Sequence, residues 1–392
     1  MLWTLVVCVL VSQSTRVAAS RYDAGEDEDD EDADDTDGFD FLSTKLESIP
    51  KGVETAGSGA CDVPGLVESV VKRGLVTPRP TIQSILQEHS RAASDVETRA
   101  FQGETLGYVT PWNNRGYDWA KQFRRKFTYI APVWLQIRED SKTKTPIITG
   151  SHDIDDQWVA DVRGGDGKGP KLVPRVVYER NRLNSNDVPV IIDLLVKLAR
   201  ERALDGFVFE IPIIPGTMDM LLRVGEALQD ADKLLLLVLT RSSNEGALPV
   251  THEMLIDLLP VVHRFTMNAY DYHLPGPNAP LDWIESTLEH FTDNEKPKIL
   301  MGIPFYGYDG HDAIVGSSFA QTLKTHAGSR LQWDGSAHEC LYRYTGDDEQ
   351  RHVVYYPCLQ FLADRLQLFQ DHGVGVAVWE LGQGLEYFYD LL

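Results

Sequence analysis

From Glu104 onward the chain repeats one unit eight times: a short apolar run followed by an amphipathic stretch. The runs are TLGYVTPW from Thr105, FTYIAPVWLQI from Phe127, KLVPRVVYE from Lys171, DGFVFEI from Asp205, KLLLLVLT from Lys233, VVHRFTMNAYDY from Val261, PKILMGIPFYGY from Pro297 and VGVAVWELG from Val374. They are rich in Val, Ile and Leu and do not alternate strictly, as expected of parallel strands covered on the outside by helices. Between them, Asp187 reads as the cap of a helix with Val190, Ile191, Leu194, Leu195 and Leu198 on one face. Met218–Ala231, Leu281–Phe291 and Leu359–Gln370 read the same way, the last ending near Gly373. The fold class is therefore α/β, a (β/α)₈ TIM barrel. A doubly wound sheet would want a glycine-rich phosphate loop after the first strand, and PWNNRGYD is not one.

The 392 residues are ample for such a barrel, which takes roughly 250. What precedes it divides by composition. Residues 1–19 read as a signal peptide: Leu2–Val11 is apolar but shorter than the roughly 20 residues a bilayer span needs, and Val17-Ala18-Ala19 supplies small residues for cleavage. An uncleaved anchor is the alternative. A secreted or lysosomal destination follows from the first reading. Residues 20–40 contain Asp23–Asp37, where eleven of fifteen positions are Asp or Glu. Such a block repels itself and is expected to be disordered, either a plain solvated tail or a weak contact for Ca²⁺ or a basic partner. Residues 41–103 form a polar lead-in, weakly helical over 67–72 and 81–93. The barrel is assigned to 104–392. The net charge of −22 argues against nucleic acid and anionic membrane as partners, and no later segment is apolar enough to span a membrane.

Of the four cysteines, Cys8 leaves with the signal peptide. Cys340 and Cys358 lie either side of a hairpin-like stretch turning at 346–350, so a cross-strand disulfide is open but not required. Cys61 is left over. No Cys/His spacing suggests zinc, no cofactor motif is present, and there is no N-glycosylation sequon.

In a barrel of this kind ligands bind at the C-terminal ends of the strands. Those ends carry Trp112, Trp134, Glu179, Glu210, Tyr270, Asp271, Tyr272, Phe305, Tyr306, Tyr308, Trp379 and Glu380. Any one of these aromatics could be core. Their recurrence at several strand ends points to sugar, since flat rings stack on pyranose faces while carboxylates and phenols meet hydroxyls.

At these strand ends the sequence resembles glycoside hydrolase family 18, the chitinases and chitinase-like lectins. LGYVTPW resembles the family's first strand, AYDY at Ala269–Tyr272 its Tyr-Asp motif, MGIPFYGY at Met301–Tyr308 its Pro-x-Tyr-Gly strand, and VWELGQG at Val378–Gly384 its last strand. The resemblance runs from about Glu104 to Leu392. It implies a saccharide-contact set of Tyr108, Trp112, Trp134, Glu210, Tyr270, Asp271, Tyr306, Trp379 and Glu380. It also implies that the segment between the last two strands is too short for the full α+β lobe many chitinases carry, leaving a shallow groove.

The family's signature strand is Asp-Gly-x-Asp-x-Asp-x-Glu, whose Glu protonates the leaving oxygen while the last Asp assists the substrate acetamide. Here it reads Asp205-Gly206-Phe207-Val208-Phe209-Glu210-Ile211-Pro212. Val208, Glu210 and Pro212 share one face by alternation. Proline has no proton to give, and a lost general acid costs roughly 10²–10⁴-fold. The resemblance therefore implies a protein with no catalytic residues that binds oligosaccharides of the N-acetylglucosamine type, lipopolysaccharide sugars included, with an innate-immune role. It further implies a stabilin-type sorting receptor as a partner. A weakly active hydrolase, and receptor cargo that binds no sugar, are the alternatives.

Overall fold

A computed structural model describes residues 66–180, 183–240, 248, 250–326, 331–347 and 349–392. The signal-peptide and acidic-segment expectations, and Cys61, lie outside the described residues. Residues 67–392 form one compact unit.

Its first helix, α1 (Ile82–Glu88), starts at Thr81, whose side chain and that of Ser84 cap each other's backbone. The first barrel strand β1 (Thr105–Val109) leads to α2 (Asn114–Gln122). The second barrel strand is broken into β2 (Tyr129–Pro132) and β3 (Leu135–Glu139), with β4 (Pro146–Thr149) folded back on it antiparallel and α3 (Asp156–Arg163) following. The third is broken into β5 (Lys171–Leu172) and β6 (Arg175–Tyr178), ahead of α4 (Val188–Glu201). Pro174 sits at this second break, where it has no N–H to give a ladder. Then come β7 (Gly206–Glu210), α5 (Met218–Asp230), β8 (Leu234–Leu239), α6 (His252–Leu258), β9 (Arg264–Met267), α7 (Leu281–Leu288) and β10 (Ile299–Pro304). All barrel pairings are parallel: β1 with β2, β2 with β5, β3 with β6, and on through β7, β8, β9 and β10. The last strand, β16 (Gly375–Trp379), pairs with both β10 and β1. The ring therefore closes through eight strands, and the barrel expected from the sequence is the fold.

Two apolar clusters follow from strand alternation. Leu106, Tyr108, Tyr129, Ala131, Val173, Val208, Leu236, Val238, Leu300 and Ala377 fill the inside of the barrel. Their strand neighbours Phe207, Phe209, Leu235, Leu237, Met301 and Val378 point outward and join the core beneath the helices.

Three features differ from the sequence reading. Asp187 makes no cap hydrogen bond to α4; its carboxylate instead accepts from Arg180 at 2.7 Å, and Val190 is exposed. The lead-in, read from the sequence only as a polar, weakly helical stretch, enters the core from Val67 on: Val70, Ile85 and Phe101 are core residues. The buried Asp390 carboxylate accepts from the backbone N–H of Val70 at 2.9 Å and of Ala93 at 2.7 Å, fixing this segment to the C-terminus.

The third difference lies between β10 and β16. The hairpin read from sequence is the centre of a larger insert. Strands β11 (Gly307–Asp309), β12 (Asp312–Ile314), β13 (Leu331–Asp334), β14 (Glu339–Thr345) and β15 (Arg351–Tyr355) form an antiparallel sheet in the order β12-β11-β15-β14-β13. With α8 (Gly316–Thr325), and α9 (Leu359–Asp371) returning to the barrel, it makes a small lobe. Cys340 and Cys358 are bonded. They are not a cross-strand pair, because Leu341 faces Tyr355 and Cys358 lies beyond β15, at the start of α9. The bond ties β14 of the lobe to the start of α9, a barrel helix.

Candidate functional site

The inward side chains near the C-terminal ends of the strands form a bowl. On its floor, Tyr108 from β1 shares a hydrogen bond with Thr266 of β9 (3.1 Å between oxygens). The Tyr108 ring meets the Trp379 ring from the end of β16, centroids 5.1 Å apart and tilted by 56°. Arg175 of β6 lies 5.4 Å from the Trp379 centroid, and its guanidinium pairs with the Glu210 carboxylate at the end of β7. Burial works against the Arg175 charge, but the adjacent Glu210 more than compensates and holds the guanidinium above its ordinary range. Glu210 is thus half of an ion pair.

One wall is phenolic. Tyr306 and Tyr308 both donate to Oδ1 of Asp271, the Tyr308 contact being 2.6 Å. The Tyr270 ring stands edge-on to Tyr306 at 6.1 Å, its hydroxyl donating to Asn268 at 3.1 Å. Gly302 makes room for it: a Cβ there would lie 2.9 Å from the Tyr270 ring. Burial pushes Tyr108 up to about 12 and raises Tyr270 and Tyr306 well above the phenol range. These hydroxyls therefore stay protonated near neutrality and remain donors. The surrounding protein also raises the Asp271 carboxyl, against the two phenolic hydrogen bonds that favour its ionised form.

A buried relay positions this wall. Asp271 has φ +60°, and its backbone N–H donates to Asn278 Oδ1 at 2.8 Å. The backbone N–H groups of Asn278 and Ala279 donate to the buried Glu339 carboxylate at 3.1 and 2.7 Å. Glu339 lies 3.9 Å from the fully buried Arg365 guanidinium, which donates to the carbonyls of Ala279, Ala337, His338 and Phe361. Burial lowers Arg365 to about 10.

Not every residue expected in the site is there. Trp134 is fully buried outside the barrel wall, donating its indole N–H to Tyr117 at 2.7 Å and packing on Trp158. Alternation along the strand turns Tyr129, Ala131 and Val133 inward, which leaves Trp134 facing the helices. Glu380 is also wholly buried and outside the bowl. It joins Trp379 through a cis peptide, takes a 3.5 Å contact from Asn113, and its Oε2 has no partner among the described residues. Burial pushes its carboxyl up to about 7. Trp112 lies on the loop after β1, 52% exposed, at the same end of the barrel. Pro212 is exposed, past the end of β7, with its carbonyl accepting from Thr217 at 2.7 Å. Asp205 sits at the opposite end of β7, paired with Arg163 and accepting from the Leu172 N–H.

Sequence reasoning missed Arg175 and the relay of Asn278, Glu339 and Arg365. For Arg175 a signal existed, a lone cation inside an apolar run. Among the described residues no His/Cys/Asp/Glu group is arranged to hold a metal ion, and no helix is long and apolar enough to cross a membrane.

The closed (β/α)₈ barrel is the fold of solved chitinases. The chitinase of Chromobacterium violaceum ATCC 12472 superposes with TM-score 0.63 at 19% identity, over 74% of this chain and 98% of that one. The GH18 chitinase of Cycas revoluta, solved in complex with (GlcNAc)3, superposes with TM-score 0.59 at 14% identity, over 73% and 97%. By sequence, the chain is 27% identical over 139 residues to YdhD of Bacillus subtilis (strain 168), named as a sporulation-specific glycosylase. That match covers 32% of this chain and 33% of YdhD, so the chain spans about a third of that relative's length. No protein-family model matches the chain.

Proposed function

We propose that this protein binds oligosaccharides in the bowl of a chitinase-type barrel and does not cleave them. The observation that carries the reading is the end of β7. Glu210 is held in an ion pair with Arg175, and Pro212 stands exposed where the glycosidases that the sequence resembles have their acid. Without a carboxyl at that position nothing there can protonate a leaving glycosidic oxygen. The part-exposed rings of Tyr270, Tyr308 and Trp379 suit pyranose stacking, whereas Tyr306 is buried behind them.

The saccharide class is drawn from the neighbours, which include a chitinase solved with (GlcNAc)3 and a protein named as a glycosylase. In this reading the protein is a secreted or lysosomal lectin built on an enzyme scaffold. An innate-immune role, lipopolysaccharide sugars as further ligands, and carriage by a stabilin-type sorting receptor belong to the same proposal. The test is a glycan array with the intact protein beside its Trp379→Ala and Tyr270→Phe variants. Loss of signal in both variants is expected. Undiminished binding by both, or no saccharide bound below millimolar concentration, would leave protein cargo as the better reading.

A further inference from the structure

We infer that the N-terminal mouth of the barrel, at the end opposite the bowl, is a second binding site, which takes a small tetrahedral oxyanion of the phosphate or sulfate type on Lys171, Lys298 and His263. The inference is independent of what the bowl binds.

The first observation is the hydrogen bonding at the mouth. Tyr129, which opens β2, reaches across to the far side of the barrel, where its hydroxyl lies 2.8 Å from Nε2 of His263, just ahead of β9. The same hydroxyl donates to Oε2 of Glu104, ahead of β1, at 3.1 Å. A phenol has one proton, and here the carboxylate takes it. His263 therefore donates through Nε2–H, which leaves Nδ1 as its bare acceptor nitrogen. Nδ1 has no hydrogen-bond partner among the described residues, and the ring is only half-buried.

The second is a charge excess. Arg264, which opens β9, grips both oxygens of Glu104, its second contact being 2.7 Å. Arg99 feels the same carboxylate and donates to the Arg125 carbonyl at 2.9 Å and the Thr128 hydroxyl at 3.1 Å. Lys298, just ahead of β10, donates to the carbonyls of Leu259 and Val262, the latter at 2.6 Å, and keeps a third N–H. Lys171, at the start of β5, is exposed. Among the described residues Glu104 is the one carboxylate set against these four cations, an excess of three positive charges. The other charges on this rim cancel: Asp205 is paired with Arg163, Lys296 with Asp293, and Asp232 adjoins Lys233.

The third is the response of His263 to that excess. Burial and then Arg264, with Lys171 and Lys298 behind them, push the imidazole down to about 4, and Glu104 alone opposes them. His263 is therefore neutral near pH 7. An oxyanion seated over the mouth supplies the missing negative charge, reverses that push and lets Nδ1 take a proton and donate. Two ammonium groups and an imidazolium then each give it a charge-assisted hydrogen bond. A doubly charged tetrahedral group matches this excess better than a halide, which carries one charge. The whole-chain charge of −22 does not forbid it, because at physiological ionic strength charges farther off than about 8 Å are largely screened.

The test is calorimetric titration of the full chain with sulfate, inorganic phosphate and glycerol phosphate, the ionic strength being held constant with chloride. Sulfate does not titrate between pH 5 and pH 8, so any pH dependence of its affinity belongs to the protein. Saturable binding at one site is expected, strengthening roughly three- to fivefold from pH 8 to pH 5.5 as His263 takes its proton in the complex. This series needs no variant to fold. His263→Gln should make the sulfate affinity flat with pH. Lys171→Glu, a change at an exposed side chain, should weaken sulfate roughly tenfold or more. Glycerol phosphate bound more tightly than phosphate supports the site with an ester as its occupant, and bound more weakly supports it with the free ion. Absence of saturable binding overturns the inference. So does a wild-type sulfate affinity that is flat with pH, or one that Lys171→Glu leaves unchanged.

Discussion

Two carboxylates named from the sequence as sugar contacts have opposite fates. Glu210 faces the bowl but is committed to Arg175. Glu380 faces away from the bowl and is buried without a full set of partners. Each gives a test at the residue scale. Arg175→Met should leave Glu210 without its counter-charge and Trp379 without its neighbouring guanidinium. Both partners are mostly buried, so a loss of about 3 kcal/mol in unfolding free energy is expected from denaturant titration, with weakened saccharide binding. For Glu380 the folded value of about 7 lies above the ordinary 4.5. Between these values the native state keeps a proton that the unfolded chain has released. The contribution of Glu380 to stability is therefore fullest below about pH 4.5 and declines as pH rises towards 7, by an amount on the order of 3 kcal/mol. Thermal melts across pH 4–8 should show this decline, and Glu380→Gln should flatten it.

At the scale of elements, the barrel strands were legible because eight apolar runs of strand length, spaced by amphipathic stretches, admit few arrangements. Alternation placed Val208 and Glu210 inside the barrel. It would also have turned Trp134 outward had it been carried through the break at Val133. Of the lobe's strands, only the hairpin was legible. Strands β11 and β12 have three residues each, too few for a period to register, and what holds the lobe is long-range. Arg365 is an ordinary-looking charge in an amphipathic helix, 26 positions from the Glu339 that it approaches in space. Arg365→Met would strand the buried Glu339 and deprive four carbonyls of their donor. A loss of about 3–5 kcal/mol is expected, and the Asp271 wall should loosen, read as faster amide exchange over 271–279. The disulfide acts on the same lobe. Its sequence separation is 18, and closing a loop of that size is worth about 3 kcal/mol in the chain-entropy account. Reduction, or Cys358→Ser, should lower the denaturation midpoint accordingly.

At the scale of the molecule, the proposed reading is of a chitinase-type barrel with aromatic rings at its strand ends and a loop proline, Pro212, at the position for proton donation. The sequence alone placed Val208 and Pro212 in the signature strand. The ion pair that takes up the remaining carboxylate required the structure, because Arg175 and Glu210 belong to different strands and meet only when the barrel closes. Binding and turnover should accordingly separate. The measurement that addresses this most directly is a single sample followed two ways: calorimetric titration with N-acetylglucosamine tetramers, then chromatography of the same mixtures after prolonged incubation. The account expects saturable binding with the tetramers recovered intact. Shortened oligomers accumulating with protein concentration, and disappearing in Glu210→Gln or Asp271→Asn, would contradict it.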